Sequence, residues 1–329
     1  MKLSNILQSI RVRGMAALAA CAMLATNAVG ASFFDSNISG VDLGDARGGS
    51  NLGNARYWSV LALSGGVSIT DAGPLPLVLD PGYPGNGLSS DWWDVLGNVG
   101  VGGSGNLTMS ASRIRGNLYI RTGYTSTLSS GAYINNPGGS VPVIPGAQSP
   151  SGLATNALLI TAASNANAAS ASASALANNW IGSGPTTIAQ NNAALNLSIA
   201  AVANTTYVLH LTDLILSGAS SVLTLSGNGA ANVNYVINVN RFMSLSSGAK
   251  VVLTGGLNSQ NVLFNVEKTG ASTFTYDTTL GGGSKLDGII LAPNRTVKLT
   301  GASIVNGEVI GKAVSLSGYS RVYNPEISP

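Results

Sequence analysis

The chain has 329 residues, of which 45% are hydrophobic and only 9% charged, with 42 glycines and one cysteine. Much of the apolar content is Val, Leu and Ile in short alternating runs, which excludes disorder, and so little charge beside so much glycine argues against an ordinary cytosolic enzyme. Three of the 16 basic residues fall in the first 31 positions, so 13 basic face 13 acidic residues in the remainder, which excludes the positive excess of a nucleic-acid binder.

Lys2, Arg11 and Arg13 precede an apolar, acid-free stretch from Met15 to Ala31. Val29 and Ala31, or Thr26 and Ala28, fit a small-x-small cleavage pattern, so residues 1–31 are expected to be an export signal peptide. The expected location is bacterial and extracellular, either secreted or at the cell surface. Leu18-Ala19-Ala20-Cys21 also matches a lipobox, so acylation of Cys21 and lipoprotein anchoring stay open. A form cut after Ala31 has no cysteine and must be held by burial and backbone hydrogen bonds alone.

Residues 32–329 are expected to form one domain. Ser32 to Asn54 is glycine-rich and polar. VLAL and VSIT, between Tyr57 and Gly73, alternate with period two and predict strands. Pro74, Pro76, Pro81 and Pro84 then exclude a central strand and predict a surface excursion ending near Trp92 and Trp93. Strand-like runs resume from Asn98 to Gly123. After a second proline-rich loop, Leu153 to Trp180 holds no glycine or proline and is rich in alanine. It predicts a helix over about 153–180, with Ser151 as N-cap and Leu153, Ala157, Ile160 and Ser164 on one stripe. From Thr187 onward short β runs follow one another, many closed by glycine. Val222-Leu-Thr-Leu-Ser-Gly, Val297-Lys-Leu-Thr-Gly and Val314-Ser-Leu-Ser-Gly share one local form. The expected fold is mainly β, an irregular β-solenoid with one long helix packed along its flank. A β-sandwich is the alternative.

Leu52 to Ala72, Val99 to Ile120, Asn261 to Val266 and Leu286 to Gly318 together resemble the bacterial choice-of-anchor A family, and the ILAPN…NGEVIG pairing carries most of the likeness. The resemblance implies an exported surface domain with an adhesive role and a solenoid-like fold. The end of the chain, YNPEISP, shows no sorting motif of the kind that family implies, which leaves attachment open. A weaker, architectural likeness is to bacterial ice-binding solenoid proteins.

Few residues suggest chemistry, and no catalytic or metal-ligating set and no cofactor are expected. His210 is the single histidine, and three positions from Asp213 on a strand it faces the other way. Asp91 and Asp94 flank Trp92 and Trp93, giving two carboxylates and aromatic platforms suited to contact with sugar rings. These four are the candidate ligand-binding residues. Asp42 and Asp45 fall short of a calcium loop, and Gly281 to Gly283 lacks the context of a phosphate loop. Thr273, Thr275, Thr278 and Thr279 do not recur from rung to rung at regular sequence spacing, so they read as β propensity. The expected function is non-catalytic adhesion to an extracellular polysaccharide or matrix protein, with possible cell-surface attachment. The alternative is ice binding, and a carbohydrate-active enzyme comes third.

Overall fold

The computed structural model describes residues 58–70, 94–121, 123–135, 153–179, 187–198, 201–267 and 277–324. The first strands are short and wind into three-sided rungs. One rung holds β1 (Val60–Ala62), β2 (Val67–Thr70) and β3 (Val95–Leu96). The next holds β4 (Val99–Val101), β5 (Leu107–Ser110) and β6 (Arg113–Arg115), and a third holds β7 (Leu118–Ile120), β8 (Ser126–Ser129) and β9 (Tyr133–Asn135). Each strand pairs in parallel with its counterpart one rung on, as in Val60↔Val99↔Leu118.

A helix, α1 (Leu153–Ala175), follows. It stops short of the expected Trp180 because Asn179 leaves the helical path to pair with a strand. The second set of rungs begins with β10 (Thr187–Asn191) and β11 (Leu195–Ser198). It continues with β12 (Thr206–Ser217), β13 (Val222–Ser226), β14 (Asn234–Ser246), β15 (Lys250–Thr254), β16 (Val262–Val266) and β17 (Thr278–Leu280). The last strands are β18 (Lys285–Leu299), β19 (Ile304–Ser317) and β20 (Arg321–Tyr323). β12, β14, β18 and β19 are long because each bends round a corner and serves more than one side of the coil. The register slips at two such bends, between Leu211 and Asp213 and between Ala292 and Thr296.

The two sets form one solenoid, stacked in an order that the sequence does not follow. The last rung of the second set lies against the first rung of the first set: Val309↔Val60, Val314↔Val67 and Val322↔Val95. α1 carries the chain back along the coil so that the second set starts at the far end. Along the side it covers, eight strands run in the order β12, β14, β16, β18, β19, β1, β4, β7. At about 4.8 Å per strand they span about 34 Å, and 23 helical residues at about 1.5 Å each give the same length.

Inward side chains stack in columns. Leu209, Ile237, Phe264, Ile290, Val309, Val60 and Val99 follow one another through the register and are buried. Each apolar side chain of that size contributes about 1.5–3 kcal/mol when fully buried. The corners carry the glycines. Gly288 and Gly307 are register partners with φ of 143° and 141°, and a Cβ on Gly307 would lie 2.1 Å from the Gly288 carbonyl oxygen. No other residue type fits that corner.

The helix packs through Leu159, Ala162, Ala166, Ala169 and Ala173, all buried against Leu61, Val208, Val236, Leu263 and Ile310. This corrects the expected stripe: Ile160 is 50% exposed, and Ala157 and Ser164 are exposed too. The helix lies so near the sheet that alanine is the residue the gap accepts, and the bulkier Ile160 turns outward.

Candidate functional site

The three sides of the coil differ in what they offer. The first is covered by α1. Beneath the carboxyl end of the helix, His210, Asn238 and Asn265 form a polar rank on neighbouring strands. His210 Nε2 lies 2.7 Å from the Leu176 carbonyl oxygen, and Asn238 Nδ2 donates to Ala173 O at 2.8 Å. Ser170 Oγ donates to Asn265 Oδ1 at 2.6 Å. The rank thus occupies carbonyls that a helix end leaves without partners. Asn179 completes the clasp, accepting from Val208 N at 2.7 Å and donating to Thr206 O at 2.8 Å. These bonds account for His210 structurally.

The second side carries charge. Val222, Lys250, Lys285, Ile304 and Arg321 follow one another outward through the register, with Arg113 and Arg115 further along. Asp94 sits in this column, 1% exposed, and its Oδ2 accepts from Arg113 N at 2.7 Å. Burial pushes its carboxyl up to about 7, against the opposing pull of the Arg113 backbone N–H and of the Arg321 and Arg113 charges. Asp91, Trp92 and Trp93, the other expected ligand residues, lie outside the described residues.

The third side is a sheet of hydroxyls. One outward column runs Ser244, Thr279, Lys298, Ser315, Ser68, Thr108, Thr127. A parallel column includes Ser317, Thr70, Ser110 and Ser129 at one end and Asn191, Ser217 and Ser246 at the other. Neighbours within a column are about 4.8 Å apart, and the columns are two residues apart on each strand, about 6.6 Å. The face is therefore a two-dimensional lattice of hydroxyls on a rigid sheet. Lys298 alone breaks the first column with a charge, and its Nζ is paired with Asp277 Oδ2 at 2.5 Å.

These ranks correct the reading of the threonines as isolated β formers. Thr279 belongs to the outward column, Thr278 is buried and points inward, and Thr273 and Thr275 lie outside the described residues. Rung length varies, from 19 residues between Val99 and Leu118 to 39 between Val60 and Val99, so no fixed period exposes the ranks. A local signal does exist in VSIT, LTMS, STLS and VSLS, four tetrapeptides with hydroxyls at the second and fourth positions.

Among the described residues, no group of three or more His, Cys, Asp or Glu side chains could hold a metal ion. None of the described helices is long and apolar enough to cross a membrane.

A family model described as "Putative Ice-binding-like adhesive domain" matches residues 46–322. The chain belongs to the ice-binding-like adhesive domain family. The match supports the weaker likeness to ice-binding proteins, and choice-of-anchor A itself is not specifically shown. An ice-binding protein of Leucosporidium sp. (strain AY30) is 34% identical over 90 residues, which cover 27% of this ice-binding-like chain and 30% of that protein. Three solved structures are also similar. The glycosylated ice-binding protein of an Arctic yeast has 21% identity, covering 82% of this chain and 92% of that one, with a TM-score of 0.46. The ice-binding protein of the Antarctic ascomycete Antarctomyces psychrotrophicus has 20% identity, 83% and 96% coverage, and a TM-score of 0.41. An ice-binding protein domain of Shewanella frigidimarina has 16% identity, 83% and 96% coverage, and a TM-score of 0.42.

Proposed function

We propose that this protein binds ice through its hydroxyl-lined side, without catalysis, and that it acts outside the cell. Adhesion to a polysaccharide or matrix protein, expected from the sequence as the main role, is overturned by the family match and by the ice-binding name of the curated relative. The observation that carries the ice reading is the pair of hydroxyl columns. Ice is a lattice of water oxygens, and a flat rigid lattice of hydroxyls with a similar repeat can hold a layer of water in matching order. A rigid sheet has no ordering entropy to lose on contact, which favours binding to a solid. The other two sides suit ice less well: one is covered by α1, and the other carries strongly hydrated charges. The leader-like residues 1–31 support export to where ice forms.

Thermal hysteresis and ice-recrystallisation assays on the purified chain test this reading. Thr108→Tyr, on the exposed hydroxyl face, is expected to abolish the effect, and Thr224→Tyr, on the charged side, to leave it. A chain that neither shifts the freezing point nor slows recrystallisation would remove the proposal.

A further inference from the structure

The hydroxyl side is not uniform. On β19, β2, β5 and β8, both outward positions are hydroxyls on every rung: Ser315 and Ser317, then Ser68 and Thr70, and so on to Ser129. Beyond β19 the array is interrupted by Lys298, Ile215 and Ala189.

The two halves also differ in what their hydroxyls do. In the interrupted half they bond to one another: Thr279 Oγ1 donates to Ser244 Oγ at 3.0 Å and Ser246 Oγ to Ser217 Oγ at 3.3 Å. In the complete half, the hydroxyls of Ser68, Thr108, Thr127 and Ser315 bond to no other described residue, and Ser129 Oγ donates to a backbone oxygen, Met109 O at 3.3 Å, and not to a neighbouring hydroxyl. A hydroxyl that already donates to its neighbour has less capacity left for a lattice water. Unengaged hydroxyls on neighbouring strands keep both donor and acceptor for the ligand.

Resting on the ice-binding reading, we infer that the ice-contacting surface is confined to the four-rung patch of β19, β2, β5 and β8. The patch straddles the seam between the two sets of rungs. Three of its strands come from before α1 and one from after it, so it exists only when the two sets are docked. Its extent is about 14 Å along the coil, and Lys298 with Asp277 marks its border.

The test compares tyrosine substitutions in the full chain, each confirmed as folded by its circular dichroism and melting temperature. Thr108→Tyr lies within the patch and Ser244→Tyr lies beyond the border. Thr127→Tyr, on an exposed strand, serves if Thr108→Tyr does not fold. Thermal hysteresis and incorporation of labelled protein into growing ice are the readouts. Loss of both in the patch variant, with both retained in Ser244→Tyr, is the expected result. Equal loss in the two variants would overturn the confinement and leave the face reading standing. Full activity in both would overturn the patch and the face together. An inactive unsubstituted chain would instead remove the ice-binding reading on which the patch depends.

Discussion

Two buried polar residues tie single atoms to measurable stability. Thr278 is fully buried, in register with Val297, and its Oγ1 has no hydrogen-bond partner among the described residues. An unsatisfied buried hydroxyl costs about 1–3 kcal/mol, so Thr278→Val, which keeps the shape, is expected to stabilise by about 1 kcal/mol in a denaturant titration. Asp94 makes a pH-dependent contribution. Its folded carboxyl titrates near 7, above the unfolded value of 3.8. The protonated form is therefore favoured by folding, and its contribution is complete below the unfolded value. It is lost as pH rises towards 7, where the buried group becomes charged. Asp94→Asn keeps the acceptor for Arg113 N and removes the charge. It should raise the melting temperature at pH 8 and flatten the pH dependence between 4 and 8. The flattening will be incomplete, because burial also raises Glu267 and Asp287. Asp213 acts in the opposite sense. The hydrogen bond from Arg241 holds its carboxyl below the usual range, so its stabilisation is present above the unfolded value and is lost as pH falls through the folded one.

At the scale of the element, α1 is defined by closeness, not by hydrophobicity. Ala169 is 1% exposed and Ala168 is exposed, although the two are adjacent and identical. Ala169→Leu would force the helix off the coil and is expected to destabilise by about 1–3 kcal/mol, whereas Ala168→Leu should be neutral within error in the same urea titration. This is also why the buried stripe was not legible in the sequence. Alanine lines nearly the whole circumference, so no periodicity separates the inner face, and the bulky Ile160 marks the wrong one. The existence of the helix was legible, because Leu153 to Trp180 lacks the glycine found elsewhere. The strands were legible for a related reason: VSIT or VLTLS shows both a period of two and a corner.

For the whole molecule, the stacking order was hidden. The pairing of Val322 with Val95 joins residues more than two hundred positions apart, and parallel pairing of that range leaves no local trace. The hydroxyl face was hidden with it, because Ser315 and Ser68 become neighbours only through the seam. One charge limits that face. Lys298 and Asp277 are 47% and 31% exposed in their side chains, and an ion pair so open to solvent adds under about 1 kcal/mol. Lys298→Thr should therefore leave the melting temperature nearly unchanged and increase thermal hysteresis by extending the unbroken array by one rung. The equal lengths of α1 and the coil have a further result. Because the helix must return the chain from one end of the stack to the other, it works as a ruler that sets how many turns the molecule can hold. One more turn adds about 4.8 Å, or about three helical residues at 1.5 Å each. A duplicated turn should give soluble, cooperatively melting protein only when α1 is lengthened to match, so growth of the array comes in fixed steps.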